Sequence, residues 1–250
     1  MSSGSKGNSV YIEYGSSRIL LDAGLGPRAL ASRLADIGRS LDDLSAVFLT
    51  HEHSDHVRGV KALTKKYPVP VYSTRGTYDQ MQRSTGKVRD WRCLDREDEV
   101  SVGALQVECY ATPHDAVESV AFVVRCGTRR LGHATDLGCI NDHVTDRLKK
   151  CDALLVEANH DVGLLDSGPY PWPVKQRIKS DVGHLSNEAC GALLSAVDHD
   201  ALQTVVLMHL SEQNNRPEYA VQAAQNALAN ESIRLVVARQ NKPTRLIAID

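Results

Sequence analysis

The chain has 250 residues, of which 42% are hydrophobic and 24% are charged, and its formal net charge is −2. This length suits one large α/β domain or two small ones, and we expect one domain spanning residues 1–250. A net charge so close to zero excludes a general attraction to polyanions, so any contact with nucleic acid must come from local basic patches.

The six cysteines are scattered along the chain without a CxxC pair, which indicates reduced thiols and not a disulfide framework. The first residues lack a basic segment followed by an apolar one, so no signal peptide is expected. No stretch approaches the roughly 18 apolar residues that a transmembrane helix requires. These features predict a soluble, cytoplasmic protein without a membrane partner.

The chain opens with a Ser/Gly/Asn-rich segment, residues 2–8, which includes Ser5 and Asn8. Composition alone would make it a disordered tail. The segment enters a predicted hairpin of residues 10–14 and 18–21, however, and a loop in that place can present backbone N–H groups to a phosphate. Ser5 and Asn8 are therefore candidate contacts for a phosphate of the substrate.

A dense set of metal ligands follows the third predicted strand. The hairpin ends at Asp22, which is either a turn residue or a carboxylate that orients a metal-binding histidine. A helix over residues 27–37 and a buried strand over residues 46–49 come next. Directly after this strand stand His51, His53, Asp55 and His56.

Strands and helices alternate through the rest of the chain, and polar residues stand at the strand ends. His114 lies in a loop between two predicted strands, while Asp136, Glu157 and His209 each end or follow an apolar strand. Residues 158–183, rich in Pro and Gly, are predicted to form a long functional loop, and residues 244–249 to form a last strand. No linker or repeat divides this α/β pattern.

These residue types predict a metal centre. Ligands at the ends of several strands of one sheet can converge in space, and imidazole and carboxylate groups without a thiolate suit zinc or manganese. Packing alone does not explain several polar rings at the end of a buried strand, because each ring would need a hydrogen-bond partner there. Two divalent ions roughly 3.5–4 Å apart can share a bridging hydroxide as nucleophile, so hydrolysis is the expected chemistry.

The spacing HxHxDH resembles the metallo-β-lactamase superfamily, and the residues that match its other motifs follow in order. The resemblance implies a four-layered αββα sandwich with a binuclear site, in which Asp55 also orients the hydroxide. In that scheme the first ion would be held by His51, His53 and His114, the second by Asp55, His56 and His209, and Asp136 would bridge the two.

The stretches "SGSKGNS", "LLVEANHD", "YPWPVKQRIKSDVGHLSN" and "LMHLSEQNN" resemble the YycJ/WalJ-like branch, whose members act on DNA as 5'-to-3' exonucleases. Glu157 and His184 resemble a pair in RNase Z, which would make His184 the general acid and Glu157 its partner. Residues 133–136 replace the usual loop of the family but keep Asp136. The chain has no room for an RNA-binding arm and carries no β-CASP-type insertion, so RNA processing is less expected.

The segment before His184 suggests how a nucleic acid would be held. Tyr170 and Trp172 stand among prolines, and Lys175 and Arg177 follow. Stacking of bases on the rings and phosphate contacts from the cations would suit a single-stranded end. The alternative is that the rings pack the loop against the domain. A group of lysines at residues 61, 65 and 66 is expected to lie on a solvated helix face.

Two other functions fit the same residues. A small-molecule hydrolase of the thioesterase or lactonase type, or a cyclic-nucleotide phosphodiesterase, would use the same metal centre. A binding module that keeps the fold without its metals is the third possibility, and the presence of all seven predicted ligands argues against it.

Overall fold

The computed structural model describes residues 1–250, and the chain divides into two compact units. The first unit consists of Met1–Ala111, Ala116–Gly127 and Arg239–Ala248, and the second of Thr112–Asp115, Thr128–Ala238 and Ile249–Asp250. The single domain expected from the sequence stays a prediction. None of the helices is long and apolar enough to cross a membrane.

The first unit contains a five-stranded sheet and a meander of three strands. The five-stranded sheet has the order β1 to β5, and only its first pair is antiparallel. Its strands are β1 (Val10–Tyr14), β2 (Ser17–Leu21), β3 (Ala46–Phe48), β4 (Val71–Ser73) and β5 (Trp91–Cys93). The other three strands of the unit form an antiparallel meander, β6 (Glu99–Val102), β7 (Leu105–Ala111) and β8 (Val120–Cys126).

The helices of the first unit cover one face of the five-stranded sheet. They are α1 (Pro27–Ala35), a 3-10 turn (Leu41–Asp43), α2 (Ser54–Val57), α3 (Val60–Lys66) and α4 (Arg75–Thr85). Successive side chains of a strand point to opposite faces, so Leu20 of β2 packs against the helices. Its neighbours Ile19 and Leu21 pack against the meander, as does Phe48 of β3. The unit is therefore layered as helices, sheet and meander.

The second unit is built on a parallel sheet in the order β12-β11-β10-β9. Its strands are β9 (Arg129–Ala134), β10 (Ala153–Glu157), β11 (Thr204–Met208) and β12 (Arg234–Val237). Every residue of β10 and β11 is buried, which accounts for their continuous apolar sequences. The helices are α5 (Asp142–Leu148), α6 (Val162–Ser167), α7 (Trp172–Ile178), α8 (Asn187–Val197) and α9 (Pro217–Ala227).

Two local predictions are wrong. Residues 158–183 contain α6 and α7. The Asp161 side chain caps α6, and Pro171 and Pro173 lie at the N-cap and in the first turn of α7, where a missing N–H costs nothing. Residues 244–249 form no strand, since no neighbouring strand pairs with them. Apolar sequence alone does not make a strand when a pairing edge is absent.

Candidate metal centre

The HxHxDH motif of the first unit follows β3 and is folded around buried imidazole rings. His51 and His56 are fully buried, and the His51 Nε2 atom lies 3.0 Å from the His53 Nδ1 atom. Ring nitrogens at this distance either share a proton or face the same cation. The motif thus gathers nitrogen donors in one buried place.

Asp22 and Thr50 fix the orientation of these rings. The Asp22 Oδ2 atom lies 2.8 Å from the His56 Nδ1 atom, and the Thr50 Oγ1 atom lies 2.9 Å from the His51 Nδ1 atom. Thr50 also donates to Asp22 from its backbone N–H and its hydroxyl. Donation from Nδ1 to these oxygens leaves the Nε2 lone pairs of both rings for a metal. Asp22 therefore lies where an orienting carboxylate is required, whereas Thr50 was not singled out from the sequence.

The N-terminal segment is folded against the motif. The Asn8 side chain, which is buried, accepts a hydrogen bond from the Gly4 N–H and donates to the Asp55 Oδ2 atom at 3.1 Å. Its amide nitrogen also lies 2.9 Å from the His56 Nε2 atom. Gly24 makes this close packing possible, because a Cβ atom there would lie 1.6 Å from the Asp55 carbonyl oxygen.

The backbone N–H groups that were predicted to bind a phosphate are engaged within the chain. The backbone amides of Gly4, Lys6, Gly7 and Asn8 donate to acceptors within the chain. Ser5 is exposed at the tip of the loop, so of the two candidate substrate contacts it is the one that faces solvent. Asn8 instead contacts two of the predicted ligands.

The second unit gathers its own candidate ligands at one edge of the parallel sheet. Glu157 ends β10, His209 follows β11, and Asp136 stands two residues after β9. The carboxyl ends of parallel strands meet at the same edge, so these side chains come together. One donor atom from each of Asp136, Glu157, His184 and His209 lies within 4.8 Å of the others.

Glu157 is the centre of this cluster. It is fully buried, and its Oε1 atom lies 2.8 Å from the His184 Nδ1 atom and 3.0 Å from the His209 Nδ1 atom. Its Oε2 atom accepts from the backbone amides of Leu137 at 2.9 Å and Leu185 at 3.2 Å. Every lone pair of the carboxylate thus has a donor, which is the condition for keeping a buried carboxylate charged.

The Glu157–His184 pair shifts both groups toward their charged forms. Burial raises the pKa of Glu157, but the charge of His184 and the hydrogen bonds from both histidines outweigh it, so the pKa of Glu157 is lowered well below its usual range. Burial likewise lowers the pKa of His184, and the Glu157 carboxylate outweighs it, so the pKa of His184 is raised. Because its Nδ1 atom faces Glu157, the Nε2 atom of His184 is the one that can donate a proton to another group.

His114 has the neutral ring that a metal ligand requires. The His114 Nδ1 atom lies 3.1 Å from the Gly183 carbonyl oxygen, and burial lowers the pKa of His114, which keeps the ring neutral. Asn159, which the sequence did not single out, donates to the His209 carbonyl oxygen at 2.9 Å. Its position two residues after Glu157 was the only signal for it.

Three candidate residues have a strained backbone. Asp22, Asp136 and His209 have φ angles of 63°, 59° and 57°, in the left-handed region that residues other than glycine rarely adopt. Each stands just past the end of a strand, where the turn directs its side chain. Such strain persists only where surrounding contacts impose it, and it is concentrated at functional sites.

The predicted substrate contacts lie on and before α7, a helix without a buried residue. Trp172 is 71% exposed, so it does not pack the segment against the domain, and Tyr170 is half-buried. Lys175 donates to the Asp166 carbonyl oxygen, and Arg177 forms an ion pair with Asp115. The Trp172 ring is therefore presented to solvent on the same helix as Lys175 and Arg177.

The donor set of each unit fits a divalent cation. The donors are imidazole nitrogens and carboxylate oxygens, with no thiolate among them. The Nδ1 partners of His51, His56 and His114 leave the Nε2 atoms of these three rings for a metal. This chemistry suits zinc or manganese.

Comparison with known proteins agrees with this geometry. A family model described as a beta-lactamase superfamily domain matches residues 17–210. The exodeoxyribonuclease YycJ of Bacillus anthracis is 35% identical over 222 residues, covering 88% of this chain and 84% of the relative. The exodeoxyribonuclease WalJ of Streptococcus pneumoniae is 36% identical over 237 residues, covering 93% of this chain and 88% of the relative.

A solved structure shows the same fold. The metallo-β-lactamase fold protein YhfI from Bacillus subtilis superimposes with a TM-score of 0.73 at 18% identity, over 94% of this chain and 90% of that protein. The chain therefore belongs to the metallo-β-lactamase superfamily, in its YycJ/WalJ-like branch, and is a metal-dependent hydrolase with the α/β sandwich fold of that superfamily.

Proposed function

We propose that the chain is a binuclear phosphodiester hydrolase that degrades DNA from a 5' end. Two relatives named exodeoxyribonucleases, 35% and 36% identical over most of the chain, support a DNA substrate. The observation that carries the proposal is the Glu157–His184 pair, with 2.8 Å between the Glu157 Oε1 and His184 Nδ1 atoms. A leaving group as basic as a sugar oxygen needs a proton donor, and this pair provides one.

The metal ligands are assigned by the scheme of the family. We assign one ion to His51, His53 and His114, the other to Asp55, His56 and His209, and Asp136 to both. Zinc or manganese bound there would lower the pKa of a water molecule that serves as the nucleophile and would neutralise charge that develops on the phosphate. Asp55 would orient this nucleophile.

Residues of the chain prepare the reaction in two ways. Thr50 and Asp22 hold protons on the Nδ1 atoms of His51 and His56, which keeps both Nε2 atoms available for a metal. Glu157 stabilises the imidazolium form of His184, whose Nε2–H donates its proton to the departing sugar oxygen as the P–O bond breaks. The attacking water oxygen forms the new bond to phosphorus.

The exposed helix α7 is assigned to the substrate. A Trp172 ring with 71% of its surface exposed offers a platform on which a terminal base can stack, and Tyr170, Lys175 and Arg177 lie near it in the chain. Stacking tolerates any sequence, as a degradative exonuclease requires. The cytoplasmic location expected from the sequence also remains a prediction.

The test is a comparison of substrates with the purified protein in Mn²⁺ or Zn²⁺. We expect mononucleotides from 5'-labelled duplex DNA, and a decrease in turnover of about 10²- to 10⁴-fold in His184→Ala at unchanged metal content. Matched assays use RNA, bis-p-nitrophenyl phosphate and a thioester. Thioester turnover without cleavage of nucleic acid would refute the proposal, and a loss of metal in His184→Ala would make His184 a ligand.

A further inference from the structure

Positive charge is concentrated in one part of the first unit, which the proposed catalytic residues do not account for. Between residues 58 and 96 the sequence has ten lysines and arginines against three aspartates, although the whole chain has a net charge of −2. All ten cations are exposed. Arg92 is the one that forms an ion pair, with Asp90. Most of these cations therefore have no carboxylate within ion-pair distance.

The fold arranges many of these cations along one edge of the five-stranded sheet. β5 is the edge strand, and α4 connects β4 to it. Arg75 and Arg83 are separated by two turns of α4, about 12 Å along the helix, and share its exposed face with Asp79. Lys87 and Arg89 follow in the loop before β5. We call Arg75, Arg83, Lys87, Arg89 and Arg96 the basic edge.

One end of the basic edge adjoins the metal motif. The motif follows β3, Arg75 follows β4 and Arg96 follows β5, and these strands are parallel, so all three positions lie at the carboxyl edge of the sheet. Neighbouring strands are about 4.8 Å apart, so β5 lies roughly 10 Å from β3. The Glu118 carboxylate accepts from the Gly76 N–H, and the backbone N–H of the preceding residue, Val117, donates to Glu52 of the motif. The basic edge thus leads away from the motif.

The chemistry of this surface favours the phosphodiester backbone of a nucleic acid over a layer of lipid headgroups. Four of its five cations are arginines, whose planar guanidinium groups match phosphate oxygens. A membrane-binding surface interleaves cations with exposed large apolar residues, and none of the exposed large apolar side chains lies between residues 58 and 96. Charge on the edge strand also prevents pairing with other strands, but that role does not explain the cations on α4 and its loop.

We propose that the basic edge binds the DNA backbone beyond the nucleotides that reach the metal centre, and so holds the duplex while one end is degraded. This inference rests on the proposed function. The edge makes no contact with bases, so its contribution is independent of sequence and depends strongly on salt.

The test is the triple variant Arg83→Ser, Lys87→Ser and Arg89→Ser of the metal-loaded protein. The matched control is the triple variant Arg28→Ser, Lys242→Ser and Arg245→Ser, which removes three other exposed cations of the same unit. Binding is measured with a phosphorothioate duplex, which resists hydrolysis, across a salt series. We expect binding about tenfold or more weaker at low salt and a salt slope reduced by about two to three in the first variant alone.

Separate readouts keep the outcomes distinct. Thermal melting and turnover of bis-p-nitrophenyl phosphate should be unchanged in both variants, because neither touches the catalytic groups. If DNA binding is weakened equally in both variants, or is not weakened in the first, the basic edge does not bind DNA. The nuclease proposal would stand in either case. A wild-type protein that neither binds nor cleaves DNA would refute both proposals. Loss of binding to phosphatidylglycerol vesicles, with DNA binding unaffected, would overturn the assignment to nucleic acid.

Discussion

Replacing Glu157 by Gln tests the centre of the proposed site with almost no change in size. The carboxylate accepts from four donors, the Nδ1 atoms of His184 and His209 and the backbone amides of Leu137 and Leu185. An amide has one acceptor oxygen and one donor nitrogen, so it can serve only one of these pairs.

Either orientation of the new side-chain amide in Glu157→Gln has a measurable cost. If its oxygen faces the imidazoles, the Leu137 and Leu185 amides lose their acceptor, at about 1–3 kcal/mol each, so the free energy of unfolding decreases by about 2–6 kcal/mol. If its nitrogen faces the imidazoles instead, the proton of His209 moves to Nε2 and blocks the lone pair that a metal needs. Loss of such a partner lowers metal affinity by about 10- to 100-fold.

The pH dependence of the variant has a definite sign. The Glu157 charge raises the pKa of His184 against the effect of burial, so His184 keeps its proton to a higher pH than an ordinary histidine. The Glu157→Gln substitution removes that charge, and the pKa of His184 decreases. The alkaline limb of the pH profile of kcat/KM should therefore move to lower pH, because the general acid deprotonates earlier.

The assays are chelator competition for metal affinity, thermal denaturation, and pH profiles on bis-p-nitrophenyl phosphate. Asp152→Asn is the matched control, because Asp152 is a buried carboxylate just before β10 that binds Arg129 and the Arg130 amide and no histidine. The Asp152→Asn variant should be less stable than the wild-type protein but should keep the wild-type metal affinity and pH profile. If Glu157→Gln keeps wild-type stability, metal affinity and alkaline limb, Glu157 does not have the role argued for it.

Three further predictions test other parts of the site. Thr50→Val removes the hydroxyl that orients His51 and should weaken metal binding by about tenfold or more in chelator competition, with Thr50→Ser restoring it; equal affinity in all three proteins would contradict the role. Trp172→Ala should cost about 1–3 kcal/mol of binding to single-stranded DNA ends in titrations, while turnover of bis-p-nitrophenyl phosphate stays the same. Removing metal with EDTA should abolish hydrolysis and lower the melting temperature, and Zn²⁺ or Mn²⁺ should restore both; a melting temperature that ignores the metal would contradict ligation by the folded state.

Much of the fold was accessible from local sequence. The apolar strands β10 and β11 and the hairpin of β1 and β2 were predicted because strand burial imposes a pattern that is visible in a few residues. The α7 helix was missed, because prolines at a helix start look the same in sequence as prolines in a loop. The strand predicted at residues 244–249 does not form. Its apolar sequence is typical of a strand, but a strand also needs a pairing partner, which local sequence does not reveal.

The sequence by itself determined which atoms can bind metal in this protein, because His51, His53, Asp55 and His56 are close in the chain and their types define the donors. Only the tertiary structure decided which other residues orient these side chains by hydrogen bonds. Asn8 reaches Asp55 across 47 positions in sequence, and Asp22 reaches Thr50 across 28. The basic edge likewise exists only because β4, α4 and β5 bring scattered cations to one side of a sheet. Hydrogen bonds and electrostatic fields act through space, so partners distant in the chain cannot be recognised until the backbone is folded.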